Sequence, residues 1–396
     1  MISFLKGKKP LDSKVASWHD KINERVIGMT NREWEHKILD FKTAVSDTIE
    51  FTCGSASLSC FDPKRGMIYS VYHTSRTSYG ESREVFALAI IPVCQPHRTE
   101  TVIIAESGME RDGVVYTDII DGNCVFLDGK VRIFFLSGGS QLYWLDFDPK
   151  TKTFSKISEV QCLLDGEVLP MNHETVARYL TSRGCTGWKF DDPAEKVINT
   201  GKMYFHDGWW YGCITTYWCQ PIIYRSKDGT CFEIVGHVPK VAQYETQTAI
   251  LNGRMYALLR GAEEDNFYIS DDLGRSFKPC GRIEFNTTRP QMMPYMGKVL
   301  IAVSEKGVLP NYVRDGRNNM KLLMGEGEDL RQYQEIFQIT DPYGIVYYDI
   351  IDYKGVLYML WSNADLYIED IPHYADRPAA KDLLYYAKIG NLSEYI

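Results

Sequence analysis

The chain has 396 residues, of which 44% are apolar and 24% charged. This excludes a mostly disordered polypeptide and leaves ample material for a large core. At about 150 residues per domain, the length allows two or three domains or one large β architecture. Lys and Arg number 44 against 52 Asp and Glu, a net charge of −8, so neither nucleic acid nor an anionic membrane surface is an expected partner.

In chain order, residues 1–40 read as partly helical, over 12–23 and 31–39. They are expected to pack on the remainder of the chain or to lend a strand that closes it. The segment Met1–Lys6 lacks the apolar run of a secretion signal. No apolar stretch approaches the ~18 residues of a membrane span. A cytoplasmic protein is the expectation. The ten Cys form no Cys-x-x-Cys pair and no zinc-like cluster with His. They are read as buried free thiols, and neither a metal site nor a cofactor is predicted.

From residue 41 onward the chain repeats itself. An apolar residue, a turn ending in Gly and a second apolar run recur at Phe61…Gly66, Leu127-Asp128-Gly129, His206-Asp207-Gly208, Leu251-Asn252-Gly253, Tyr295-Met296-Gly297 and Tyr353-Lys354-Gly355. Asp-Gly and Asn-Gly between apolar runs signal tight hairpins, because both central residues need positive φ. A further strand follows most hairpins, at 85–91, 141–147, 221–224, 266–269, 319–323 and 383–388. Six antiparallel units of three or four strands predict an all-β, six-bladed β-propeller over 41–396, in which radial closure protects the sheet edges. The 79 residues between Gly129 and Gly208 leave room for an insertion at 160–198. Within it, Asn172 to Gly184 has the N-cap and terminal Gly of a short helix. His173-Glu174 is not a zinc protease motif, because position 177 is Ala.

Two turns carry a family resemblance. Ser270, Asp272, Gly274, Ser276 and Phe277 fit the Asp-box pattern S-x-D-x-G-x-[ST]-[WF], and Ser226, Asp228, Gly229 and Phe232 form a version one residue shorter. The Asp can bond turn N–H groups and the Gly can take the left-handed position. With the six repeats, these turns resemble the sialidase (neuraminidase) superfamily of propellers with Asp-box (BNR) repeats. The resemblance extends to catalytic positions. The stretch from Tyr244-Glu245 to Leu259-Arg260 looks like the family's Glu–hairpin–Arg unit, Arg317-Asn318-Asn319-Met320 like its later Arg at a strand start, and Val346-Tyr347-Tyr348-Asp349-Ile350 like its Tyr segment. Asp121 in Asp121-Gly122-Asn123 resembles the loop Asp.

The resemblance implies a retaining exo-glycoside hydrolase acting on a terminal acidic, sialic-acid-like sugar, with carbohydrate as partner and no cofactor. Tyr347 is then nucleophile, the Tyr exception among glycosidases. Glu245 is its base, Asp121 the acid/base, and Arg260 and Arg317 bind the substrate carboxylate. Tyr348 is the register alternative to Tyr347, since a one-residue slip reverses the face. One departure stands out: the family's first arginine would fall in Phe51–Leu58, which contains none. Arg76, Arg83 or Arg289 could replace it, and His73 lies near the same rim. The alternatives are a propeller polysaccharide lyase acting on uronates, another propeller exo-glycosidase, and a non-catalytic glycan- or protein-binding propeller.

Overall fold

The computed structural model describes residues 36–38, 53–75, 85–117, 119–138, 140–185, 199, 201–243, 245–260, 264–283, 289–306, 317–328, 332–340, 346–362 and 384–393. Its strands form six sheets arranged as the blades of a propeller, antiparallel apart from one pair at the edge of blade three, with two small ribbons beside them. Blade one is Cys53–Asp62, Met67–Ser75, Val85–Pro92 and Glu100–Glu106. Blade two begins with Ile120–Leu127, Lys130–Ser137 and Gln141–Asp148, and blade three is built on Tyr204–His206, Trp209–Ile214, Ile222–Ser226 and Cys231–His237. Blade four is Gln247–Leu251, Arg254–Leu258, Phe267–Ser270 and Lys278–Gly281; blade five is Gln291–Tyr295, Lys298–Lys306, Arg317–Gly325 and Gln334–Thr340. Blade six is Val346–Tyr353, Val356–Ser362 and Leu384–Gly390, with His36–Ile38 as its outer strand.

The blade strands are apolar on both faces because each face meets a different neighbour. In Lys298–Lys306, Val299, Ile301 and Val303 pack towards blade four, while Leu300 and Ala302 pack towards blade six. The buried apolar residues divide into six clusters, each lying between two adjacent blades. One of them joins Ile68, Ala87 and Ile91 of blade one to Ile351 and Leu360 of blade six, so the ring is closed by packing as well as by strand pairing.

All six expected hairpin glycines have positive φ, from 64° to 80°. In five of the turns the preceding residue is also left-handed (Asp128, Asp207, Asn252, Met296 and Lys354), the geometry of a type I′ turn. The first is different: the Gly66 N–H bonds back to the Asp62 carbonyl at 2.9 Å. Two further Asp-Gly turns, Asp112-Gly113 and Asp165-Gly166, have the same dihedrals. They close the ribbon Met109–Arg111/Val114–Tyr116 and the hairpin Gln161–Leu164/Glu167–Pro170. The latter adds to the outer edge of blade three, Gln161–Leu164 running parallel to Cys231–His237. The region 160–198 thus contains a hairpin as well as the helix α1, His173–Ser182, whose N-cap Asn172 accepts from the Thr175 N–H at 3.0 Å.

A correction concerns the N-terminal region. Part of the helix expected over 31–39 is a strand, His36–Ile38, with His36 opposite Ala387. The open edge of Leu384–Gly390 offers backbone partners, and this tertiary pairing outweighs a modest helical preference. The other expected helix, at 12–23, lies outside the described residues.

The two turns read as Asp-boxes bond through their side chains. The Asp272 carboxylate accepts from Ser276 N at 2.9 Å and from Ser270 Oγ at 2.6 Å, while Ser270 Oγ accepts from Gly274 N at 2.7 Å. Asp228 similarly accepts from Thr230 N and Thr230 Oγ1, at 2.9 and 2.8 Å.

Candidate active site

In an antiparallel blade, the start of the first strand, the end of the second and the start of the third share one rim. Strand register places the sequence candidates on that rim. Glu245 and Arg289 each stand two residues before the innermost strands of blades four and five, and Arg260 stands two residues after Arg254–Leu258. Tyr347 and Asp121 are the second residues of the innermost strands of blades six and two. His73 pairs with Ser55, and Arg317 opens its strand opposite Lys306. Arg76 and Arg83 lie outside the described residues.

The inner strands reach this rim in two ways. Those of blades four and five are regular, pairing without interruption from Gln247↔Leu258 and from Gln291↔Ala302. Those of blades one, two and six each shift register by one residue near their start, between Ala56 and Ser59, Ile120 and Asn123, and Val346 and Asp349. Such bulges re-aim side chains. In blade six the bulge holds Tyr347 at φ 50°, a left-handed conformation that costs a bulky residue about 1–3 kcal/mol. In blade two it contains Gly122, where an added Cβ would come within 2.4 Å of the Phe86 ring.

Five side chains converge here. The Arg260 guanidinium Nη1 donates to Glu245 Oε2, and both residues are largely withdrawn from water. Arg289 is only 3% exposed and lies with its guanidinium carbon 5.7 Å from the centre of the Tyr347 ring. Tyr348 is fully buried, and its hydroxyl donates to the Ala302 carbonyl at 3.1 Å. Burial pushes the Tyr348 phenol up, against the pull of Arg289 and Arg260 and with the push of Glu245. Tyr347, by contrast, is half-buried on the Arg289 face. The two tyrosines therefore have different environments: the Tyr348 hydroxyl ties blade six to blade five, while the Tyr347 ring faces Arg289. Arg289 and Tyr348 enter the cluster alongside Glu245, Arg260 and Tyr347, and the cluster sums to one net positive charge among the described side chains.

Below the rim, the axis carries a second polar level. Lys202 Nζ lies 2.6 Å from Asp349 Oδ1, whose other oxygen accepts from Ser59 N at 2.7 Å. Lys202 N donates to Gln247 Oε1 at 3.2 Å, and Asn123 Nδ2 donates to the Gly201 carbonyl at 2.8 Å. These bonds link blades one, two, three, four and six under the site. Among the described residues no group of three His, Cys, Asp or Glu side chains could hold a metal, and no helix is long and apolar enough to cross a membrane.

No protein-family model and no curated protein matches the chain. Solved structures do. The chain is similar to a Trypanosoma rangeli sialidase bound to the inhibitor DANA, with a TM-score of 0.56 at 12% identity over 87% of this chain and 56% of that one. The same enzyme in complex with 2,3-difluorosialic acid, as a covalent intermediate, gives a TM-score of 0.53 at 12% identity, covering 86% of this chain and 54% of that one. A Dyadobacter fermentans protein of unknown function gives 0.54 at 11% identity, covering 90% and 98%. The chain spans little more than half the length of those sialidase chains. The fold is the six-bladed β-propeller seen in those sialidase structures.

Proposed function

We propose that the chain is a retaining, sialidase-like exo-glycoside hydrolase acting on a terminal acidic sugar. The observation that carries the reading is the convergence of Tyr347, Arg289 and the Glu245–Arg260 pair on one rim of the propeller. The T. rangeli sialidase has been captured as a covalent intermediate, and a Tyr nucleophile is suited to such chemistry on an anionic sugar. A neutral phenol can approach an anomeric centre that already bears a carboxylate, where a second carboxylate would be repelled.

In this mechanism Tyr347 Oη bonds to the anomeric carbon as the bond to the aglycone oxygen breaks. Glu245 takes the phenol proton, and Asp121 gives a proton to the departing oxygen. Water then attacks the glycosyl-tyrosine. Asp121 removes the water's proton, and the phenolate regains one from Glu245. Arg289 stabilises negative charge as it develops on Tyr347, and it takes part of the role of the missing first arginine. Arg260, Arg317 and Arg289 hold the substrate carboxylate, and Arg76 and His73 are the remaining candidates for substrate contact.

The test is a panel of 4-methylumbelliferyl glycosides bearing sialic acid, related keto-acid sugars, uronic acids and arabinofuranose. Hydrolysis of a keto-acid glycoside, lost in Tyr347→Phe and Glu245→Gln with folding intact, is the expected result. Activity that survives Tyr347→Phe would overturn the nucleophile assignment. Cleavage of a uronate polymer to an unsaturated product, with no glycoside hydrolysed, would replace hydrolysis by elimination.

A further inference from the structure

Where helix α1 meets blade three, a thiol, an imidazole and a phenol stand in line, and none of them belongs to the rim cluster. His237 ends the strand Cys231–His237, opposite Ile222. Cys185 follows α1: its N–H donates to the Leu180 carbonyl at 3.0 Å, just past Gly184 at φ 68°. This turn fixes the thiol at the C-terminal end of the helix, where His237 Nε2 lies 3.6 Å from Cys185 Sγ. The other ring nitrogen, Nδ1, lies 3.2 Å from the hydroxyl of Tyr179, a buried residue of α1. The Tyr179 and His237 rings meet edge to face, 75° apart in plane. The Arg183 guanidinium carbon lies 5.5 Å from the centre of the same Tyr179 ring, and its Nη2 is 3.9 Å from Asp165 Oδ1. The sulfurs of Cys124, Cys213 and Cys280 meet backbone carbonyls instead. Cys185 is free of any disulfide and only half-buried, so a small solute can reach it.

We propose that Cys185 is a nucleophilic thiol with His237 as its base, and that it is a site of covalent modification by hydroperoxides. A nucleophile within hydrogen-bonding reach of a base, with the base oriented by a third group, is the arrangement of an activated nucleophile. In the tautomer that accepts the thiol proton at Nε2, the Nδ1 N–H donates to Tyr179 Oη. The partial negative charge at the end of α1 disfavours a resting thiolate. Burial raises the Cys185 thiol in the same sense, and burial together with Arg183 lowers the His237 imidazole. Both groups are therefore neutral at rest, and the imidazole is in the form that takes a proton during attack. A hydroperoxide asks little else of its surroundings. As Sγ bonds to the terminal peroxide oxygen, the O–O bond breaks. The thiol proton passes to Nε2 and from there to the departing alkoxide or hydroxide. Sulfur is oxidised by two electrons, the peroxide is reduced by two, and the products are a sulfenic acid and an alcohol or water. The positive charge of Arg183, which reaches His237, also favours the departing anion.

The experiment exposes the reduced full chain to hydrogen peroxide, traps sulfenic acid with dimedone, and follows each cysteine by peptide mass spectrometry. Cys94, an exposed thiol, is the internal reference. In the parent, Cys185 should be trapped roughly tenfold faster than Cys94 or more, and the advantage should vanish in urea. His237→Asn should slow Cys185 by about tenfold or more and leave Cys94 unchanged. Tyr179→Phe removes only the hydroxyl behind the imidazole. It should slow Cys185 about threefold and move the lower limb of its pH profile to lower pH, which a packing role would not do. The comparison of Cys185 with Cys94 in the parent needs no variant to fold. Trapping of Cys185 no faster than Cys94, or at the same rate in the parent and in His237→Asn, would overturn the proposal. Glycoside hydrolysis depends on the rim cluster and not on this thiol, so the two proposals fail independently.

Discussion

Blades four and five differ from blades one, two and six in how they meet the rim. The first pair send regular inner strands up to it and place their charged residues, Glu245 and Arg289, just before the strand begins. The other three insert one extra residue into the strand itself, and in blade six that residue carries the tyrosine candidate at φ 50°. A guanidinium or carboxylate acts over several ångströms and tolerates a loop position. A nucleophile must meet one atom from one direction, which is a reason to hold it in a strained bulge.

The sharpest way to break this comparison is to exchange the roles of the two tyrosines. Tyr347→Phe should lower kcat by roughly 1,000-fold or more with the fold intact. Tyr348→Phe should cost about 1 kcal/mol of stability through its lost hydrogen bond to Ala302 and leave the rate within about threefold. Steady-state rates and denaturant melts of both variants decide between them.

On the regular side, Glu245→Gln leaves Arg260 without its buried counter-charge. Unfolding free energy should fall by about 3–5 kcal/mol. Adding Arg260→Met should recover most of that loss while activity stays absent. A double variant no more stable than the single would show that the pair is not the electrostatic unit described above. In the blade-two bulge, Gly122→Ala drives a methyl into Phe86 and Val71 and should cost about 1–3 kcal/mol. In the blade-six bulge, Tyr347→Gly should be more stable than Tyr347→Ala by about 1 kcal/mol, because only the glycine is relaxed at positive φ.

The smallest effect lies away from the rim. His237 Nδ1 lies 3.2 Å from the Tyr179 hydroxyl and its Nε2 lies 3.6 Å from Cys185 Sγ, one nitrogen donating and the other accepting. Burial, reinforced by Arg183, lowers its pKa from 6.5, and burial lowers that of His173 as well. Each is protonated more readily when unfolded. Stability is therefore greatest above about pH 6.5 and declines as the pH falls below it towards the folded-state values. Thermal melts at pH 7.5 and 5.5 should show this decline, and it should be shallower in His237→Asn.

The hairpins were legible in the sequence because Asp-Gly and Asn-Gly are local chemistry. Met296-Gly297 and Lys354-Gly355 take the same turn with residues less suited to it, and only the repeat betrays them. Asp112-Gly113 and Asp165-Gly166 carry the same local signal, but their hairpins lie outside the repeated unit. The bulges left no trace, since an extra residue in a strand changes pairing and not composition. A closing strand from the N-terminal region was one of two expectations, but its position at His36–Ile38 was not legible, because its partner stands some 350 residues away. At the rim, local motifs led to Glu245, Arg260 and Tyr347. The approach of Arg289 to Tyr347 depends on how blades five and six are set against each other.

The pairing of His36–Ile38 with Leu384–Gly390 also sets a timetable for the chain as it is made. Blades one to five can assemble in order as they leave the ribosome, since each new sheet covers the face of the last. The sixth cannot be completed until Leu384–Gly390 has emerged and found a segment synthesised some 350 residues earlier. Until then the exposed faces of the first and last finished blades have no partner. Ring closure is a single late event of very high contact order, and a ribosome stalled before that point would hold an open, sticky arc.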